Sequence, residues 1–223
     1  MSQHSNSSIR VYGNIVSPYA RKVYAALTLK GLDYQAIDVL PYDESEAFRA
    51  CSPTGRVPGF EDAWCRLSDS SVIADYLDHR YPGPALYPSS LQDRAKALYW
   101  EEFADSALDQ VLLHGIVVES MIKPQVYGEL TDEIRLRGLL ADDWPRLLGI
   151  LEAVVPAQGM MFDSPGMVDI ALATHFINVE YAGYQVDAHR WPRLAAFLQR
   201  VKQLDFMQRV LAAEQAYFEQ LMG

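Results

Sequence analysis

Ser17-Pro18-Tyr19-Ala20-Arg21-Lys22-Val23 decides how this chain is read. Serine is a favoured N-cap, and proline in the first helical position gives up an N–H that would have no helical partner anyway. Ala20, Val23, Tyr24 and Leu27 then recur at i, i+3, i+4 and i+7, one face of a helix that runs to Lys30 and is stopped by Gly31. Before it, Ile9 and Val11 alternate with Arg10 and Tyr12 as a strand, and after it Tyr34 to Val39 reads as a second strand. Strand, helix and strand in so short a span make a βαβ unit with its two strands parallel. The helix start matters chemically as well. Its unpaired N–H groups and the positive end of the helix dipole favour an anion beside Ser17, a thiolate among them, and the Ser17 hydroxyl can donate to it.

Working outward, Asp43 to Cys51 predicts a short helix and Ser52-Pro53-Thr54-Gly55 a turn. Arg56–Glu61 and Trp64–Ser68 are strands close enough to pair as a hairpin, and Ser70 opens a helix with Val72, Ile73, Tyr76 and Leu77 on one face. The breakers Tyr81-Pro82-Gly83-Pro84, then Pro88, Ser89 and Ser90, mark a linker over 83–90. The expected organisation is therefore a first domain over 1–82, βαβ-α-ββα, and an all-helical second domain over 91–223, so the fold class is α/β followed by all-α. The helical part predicts Gln92 to about Met121, ending near Pro124; Thr131–Val155, with a kink or restart at Pro145; and then Val168–Gly183, Pro192–Leu204 and Phe206–Leu221.

Composition narrows the function classes. Half of the 223 residues are hydrophobic and 22% are charged, an ordinary balance for a globular chain with a sizeable core. A net charge of −10 argues against nucleic acid, which needs a basic face, and against an anionic membrane surface. No apolar run approaches a bilayer span, and the polar start Met1–Ser8 reads as a disordered beginning, not a signal peptide. Cys51 and Cys65 form no Cys-x-x-Cys pair, so a reducing, cytoplasmic setting is expected. His4, His79, His114, His175 and His189 are scattered without metal-ligand spacing, so no metal is expected, and His175 reads as a core residue. Phe103, Leu108 and Leu112 read as core or interface, and Asp142-Asp143 as solvated surface.

Two further stretches carry binding chemistry. Val57-Pro58 lies between a turn and a strand. A cis bond there would turn the Val57 N–H and C=O outward, where an extended peptide could add as a strand; a trans bond would only open an edge strand. Asp69-Ser70 precedes a helix. Ser70 as its cap, with the first N–H groups, would suit a carboxylate, and Asp69 an ammonium group, together the zwitterionic end of an amino acid.

These stretches, in this order, resemble the cytosolic glutathione transferase superfamily over nearly the whole chain, from Ile9 to about Leu221. The carriers are Ser17–Val23, Ser52-Pro53-Thr54-Gly55-Arg56-Val57-Pro58, Leu67-Ser68-Asp69-Ser70-Ser71-Val72-Ile73-Ala74-Asp75-Tyr76-Leu77 and, in the helical half, Val168-Asp169-Ile170-Ala171-Leu172-Ala173. The resemblance implies a thioredoxin-like domain followed by a helical one, a homodimer, and glutathione as co-substrate bound mainly by the first domain. It implies that Ser17 holds the sulfur, that Val57 beside Pro58 pairs with the cysteinyl backbone, that Asp69 and Ser70 hold the γ-glutamyl end, and that Arg56 contacts the glycyl carboxylate. Arg56, with Arg21, would keep the site locally positive. The implied activity is a transferase that offers the glutathione thiolate to a small apolar electrophile, as in detoxification. The alternatives are a non-enzymatic relative that binds a partner, and a glutathione-dependent isomerase or peroxidase. Three departures stand out. Gly59 replaces an apolar strand residue, Gly166 replaces the Ser or Thr that begins the helical motif, and Ser17 stands where some relatives carry Cys or Tyr. Tyr12, Asn14 and Tyr19 are close enough in sequence to share its role.

Overall fold

The computed structural model describes residues 9–222; the polar start Met1–Ser8 lies outside the described residues. The chain forms two compact units. One runs up to Leu86 and takes back the last helix, from Asp205 on; the other is Tyr87–Leu204. The last helix of the sequence-predicted second domain therefore groups with the first unit.

In the first unit the order is β1 (Ile9–Tyr12), α1 (Pro18–Leu29), β2 (Tyr34–Ile37), α2 (Glu46–Cys51), β3 (Gly59–Glu61), β4 (Arg66–Ser68) and α3 (Ser70–Arg80). The sheet order is β2-β1-β3-β4, with β1 and β2 parallel and the other pairs antiparallel. This is the expected βαβ-α-ββα fold. β2 and α2 are shorter than their patterns suggested. Helix α1 is buried on every side from Ala20 to Leu27, Arg21 and Lys22 included. Glycines mark close approaches. A Cβ on Gly59 would lie 3.1 Å from the Cβ of Cys51 and 3.3 Å from the Phe48 ring, which explains the missing apolar side chain there. Tyr12, Phe48 and Cys51 form a core cluster with Ile37, Val39 and Val57.

The second unit begins with one continuous helix, α4, over 91–127, then α5 over 133–154, α6 (Met167–Tyr181) and α7 (Pro192–Lys202). Helix α4 does not end at Pro124. Its second half winds in wide π turns over Leu112–Tyr127, a geometry that accommodates a proline lacking its N–H, and Gly128 closes it at φ +65°. The predicted restart in α5 is present. Wide turns over Leu139–Asp143 give way to regular helix from Trp144, with Pro145 in its first turn. Helix α6 is buried from Met167 to Val179. Leu108 and Leu112 are fully buried core. His175 is fully buried too, its ring nitrogens each 4.0 Å from a carboxylate oxygen of Asp105 and Asp109. Helix α8 (Asp205–Met222) packs against α1 in the first unit. Among the described residues no helix is long and apolar enough to cross a membrane, and no group of three or more His, Cys, Asp or Glu side chains is placed to hold a metal ion.

Candidate active site

Strand register gathers the candidate residues. Tyr12, the last residue of β1, pairs with Gly59, the first of β3, and Gly59 pairs with Ser68, the last of β4. The loop leading to Ser17, the segment Arg56-Val57-Pro58 and the pair Asp69-Ser70 therefore leave the sheet at one end. Gly13 is the pivot: a Cβ there would lie 3.1 Å from the Cβ of Ala20 and 3.4 Å from that of Val57. Only a glycine lets α1 and the Val57 segment approach so closely.

Ser17 is the N-cap of α1. Its Oγ accepts from the Ala20 N–H at 3.4 Å, with Pro18 in the first turn. Capping uses a hydroxyl lone pair and leaves the O–H proton for a second partner. The residue is half-buried. Val57-Pro58 is cis. The preceding turn is pinned by the buried Ser52, whose hydroxyl donates to the Arg56 C=O at 2.7 Å, and the Arg56 side chain is exposed.

Three expectations need correction. The cap of α3 is Asp69, not Ser70. The Asp69 Oδ1 accepts from the N–H groups of Ser71 (3.0 Å) and Val72 (3.2 Å), so those donors serve the protein's own carboxylate. Aspartate caps as well as serine does and here sits one residue earlier. Asp69 is exposed and held at φ +79°, a region L-residues rarely occupy, with a backbone cost on the order of 1–3 kcal/mol. Ser70 is 3% exposed.

Second, Arg21 supplies no net positive charge. It is fully buried and paired through both edges with the fully buried Glu214 of α8, Nη2 to Oε2 at 2.8 Å. Lys22, which the sequence reading passed over, is a second fully buried cation beside it. Its Nζ donates to the Ser71 Oγ at 3.1 Å, in the first turn of α3.

Third, two of the understudies for Ser17 are engaged elsewhere. The Tyr12 hydroxyl donates to Glu61 at 3.1 Å, and burial pushes its pKa up. Asn14 donates from Nδ2 to Asp38 (2.9 Å) and to the Tyr217 hydroxyl (2.8 Å), while its Oδ1 accepts from the Val16 N–H at 3.1 Å. Both amide hydrogens are used. Burial raises the thiols of Cys51, to about 11, and Cys65, so neither is a ready thiolate.

In the helical unit, the motif around Asp169 is built as half of a capping box. Gly166 has no side chain to cap with, but the Asp169 carboxylate accepts from the N–H groups of Gly166 (2.9 Å) and Met161 (2.8 Å). The helix still starts at Met167, as glycine permits. A groove of about 420 Å³ in this unit is lined by Val111, His114, Arg135 and Arg146 among others, and holds none of the candidate residues.

Known proteins match along the chain. The family model for the glutathione S-transferase N-terminal domain matches residues 11–85, and that for its C-terminal domain matches 126–200. A maleylacetoacetate isomerase of Pseudomonas aeruginosa is 34% identical over 196 residues, 83% of this chain and 87% of that protein. Glutathione S-transferase Z2 of Arabidopsis thaliana is 41% identical over 92 residues, 40% of this chain and 41% of that protein. Among solved structures, a glutathione S-transferase from Rhodospirillum rubrum F11 superposes with a TM-score of 0.81 at 27% identity, covering 91% of each chain. The chain belongs to the glutathione S-transferase superfamily.

Proposed function

We propose that this protein is a glutathione transferase that binds glutathione at the end of the sheet described above and holds its sulfur as thiolate beside Ser17. The observation that carries this reading is the register Tyr12–Gly59–Ser68, which gathers Ser17, Arg56-Val57-Pro58 and Asp69-Ser70. Glutathione offers a thiol, an extended backbone, two carboxylates and an ammonium group, one each for Ser17, Val57, Ser70, Arg56 and Asp69. Ser17 donates its hydroxyl proton to the thiolate, and the α1 N-terminus adds its dipole. Val57 pairs with the cysteinyl backbone. Asp69 accepts from the ammonium group, Ser70 donates to the neighbouring carboxylate, and Arg56 meets the glycyl carboxylate. The electrophile is a small apolar molecule. The setting is cytoplasmic, which two free cysteines suit. The protein works as a homodimer in detoxification, and Leu91, Leu98 and Tyr99, exposed on α4, provide apolar surface for pairing.

One observation favours a second reaction at the same site, the 34% identity to a maleylacetoacetate isomerase. A thiolate that adds to a conjugated cis double bond allows rotation and then leaves, so glutathione is not consumed. Stoichiometry separates the two. A transferase uses one glutathione per electrophile; an isomerase converts substrate with catalytic glutathione.

Ser17→Ala tests the thiolate assignment. A hydrogen bond to a charged group contributes roughly 1.5–3 kcal/mol, so the bound thiol pKa should rise by roughly one to two units. The pH–rate profile should move up by the same amount, with affinity at low pH nearly unchanged. If Ser17 only caps the helix, the variant loses about 1 kcal/mol of stability and its bound thiol titrates as in wild type.

Asp69→Asn separates binding from capping. Asparagine caps as well as aspartate and tolerates positive φ, so the melting temperature should hold. Glutathione affinity should fall by roughly tenfold or more, because the ammonium group loses its counter-charge. Equal affinity in isothermal titration removes Asp69 from the site.

A further inference from the structure

We infer that Tyr217, on the last helix of the chain, is a positioning residue for thiol activation: it holds, through Asn14, the loop that presents Ser17. This deepens the reading of Ser17 given above and rests on it. Residues 13–17 join β1 to α1 and contain no regular structure to fix them. Their order comes from side chains. The Asn14 C=O accepts the Ser17 N–H at 3.0 Å, closing the turn that leads into α1. The Asn14 carboxamide is 7% exposed and is held at both ends. Its oxygen accepts from the Val16 N–H, and its two N–H groups are divided between the Asp38 carboxylate and the Tyr217 hydroxyl, at 2.9 and 2.8 Å.

The same helix grips the other side of Ser17. The Arg21 N–H donates to the Ser17 C=O at 2.8 Å, and the Arg21 guanidinium is fixed by Glu214 and reaches the Val16 C=O at 3.4 Å. Ser17 thus lies between two anchors, and both end on α8, at Glu214 and Tyr217, one turn apart on one helix face. Asp38 accepts from Asn14, Arg21 and Glu214 neutralise each other, and Lys22 faces Ser71. The Tyr217 hydroxyl is an uncharged group, and its removal alters no charge. An effect of its loss on the bound thiol must therefore pass through geometry. Without it, one buried amide hydrogen of Asn14 loses its acceptor, and the carboxamide gains by rotating toward another one. Rotation moves the Oδ1 that accepts from the Val16 N–H, and with it the residue that immediately precedes Ser17.

The test is a double-mutant cycle read on the pKa of enzyme-bound glutathione, followed by thiolate absorbance, with Tyr217→Phe and Ser17→Ala. Phenylalanine keeps the ring and its contact with Phe218, so the fold is retained. Tyr217→Phe alone should raise the bound thiol pKa by roughly half a unit to one unit, less than Ser17→Ala, and shift the pH–rate profile equally. In the Ser17→Ala background it should add nothing, because the group it positions is gone. An unshifted thiol in Tyr217→Phe overturns the inference while leaving Ser17 in place. The same shift in both backgrounds overturns it too, since Tyr217 would then act elsewhere. If Ser17→Ala leaves the thiol unshifted while glutathione still binds, the parent reading falls and this one with it.

Discussion

Glu214→Ala should lower the stability of the protein by about 3–5 kcal/mol, the cost of leaving a buried charge without its partner. Arg21 and Glu214 are both fully buried and share two hydrogen bonds, so alanine takes from the buried guanidinium the carboxylate that faces it. For a chain of this length the melting temperature should fall by roughly 6–20 °C. Replacing the pair together, Arg21→Met with Glu214→Leu, should cost less than the single change, because no charge is then stranded. A melting temperature for Glu214→Ala within a degree or two of wild type would mean that the pair does not fasten α8 to α1.

In the helical unit Asp169 carries the second prediction. In Asp169→Ala the N–H groups of Met161 and Gly166 lose their acceptor. At about 1–3 kcal/mol for each buried donor, the loss is roughly 2–5 kcal/mol. It should depend on pH in a stated direction. Burial pushes Asp169 up from 3.8 to about 6, against the pull of the N–H groups of Met161 and Gly166. A carboxyl whose folded pKa is raised contributes stability that is fully present below its unfolded pKa and lost as pH rises through the folded value. The gap in stability between wild type and Asp169→Ala should therefore narrow from pH 4 to pH 7, by about 3 kcal/mol if the whole shift is expressed. Denaturant unfolding at several pH values measures it. A gap that widens with pH would show that the ionised carboxylate is the favoured form in the fold.

Much of this was legible before the structure. Period-two and period-3.6 patterns place β1, α1, β2 and the helices of the second unit. The capping chemistry of Ser17-Pro18 is local, so it can be read from adjacent residues. What could not be read are partners brought together by the fold. Nothing near Arg21 says that a residue of the last helix neutralises it. A signal does exist on the other side. Phe206, Met207 and Val210 form the buried stripe of α8, and Glu214 continues that stripe as a charge on a core-facing position. Such a charge requires a buried partner. Asp69 was misplaced for a different reason. Either residue of Asp69-Ser70 is a good N-cap, and what selects Asp69 is the folded geometry that sets its Oδ1 against the Ser71 and Val72 N–H groups.

The central claim is that glutathione sits at this end of the sheet with its sulfur ionised by Ser17. Titrating the protein with glutathione at a series of pH values, and following thiolate absorbance, tests it in one measurement. The account predicts a saturable signal whose midpoint lies at least one pH unit below that of free glutathione, since the Ser17 hydrogen bond and the α1 dipole both favour the anion. No saturable signal, or a bound thiol that titrates as it does in water, would contradict it.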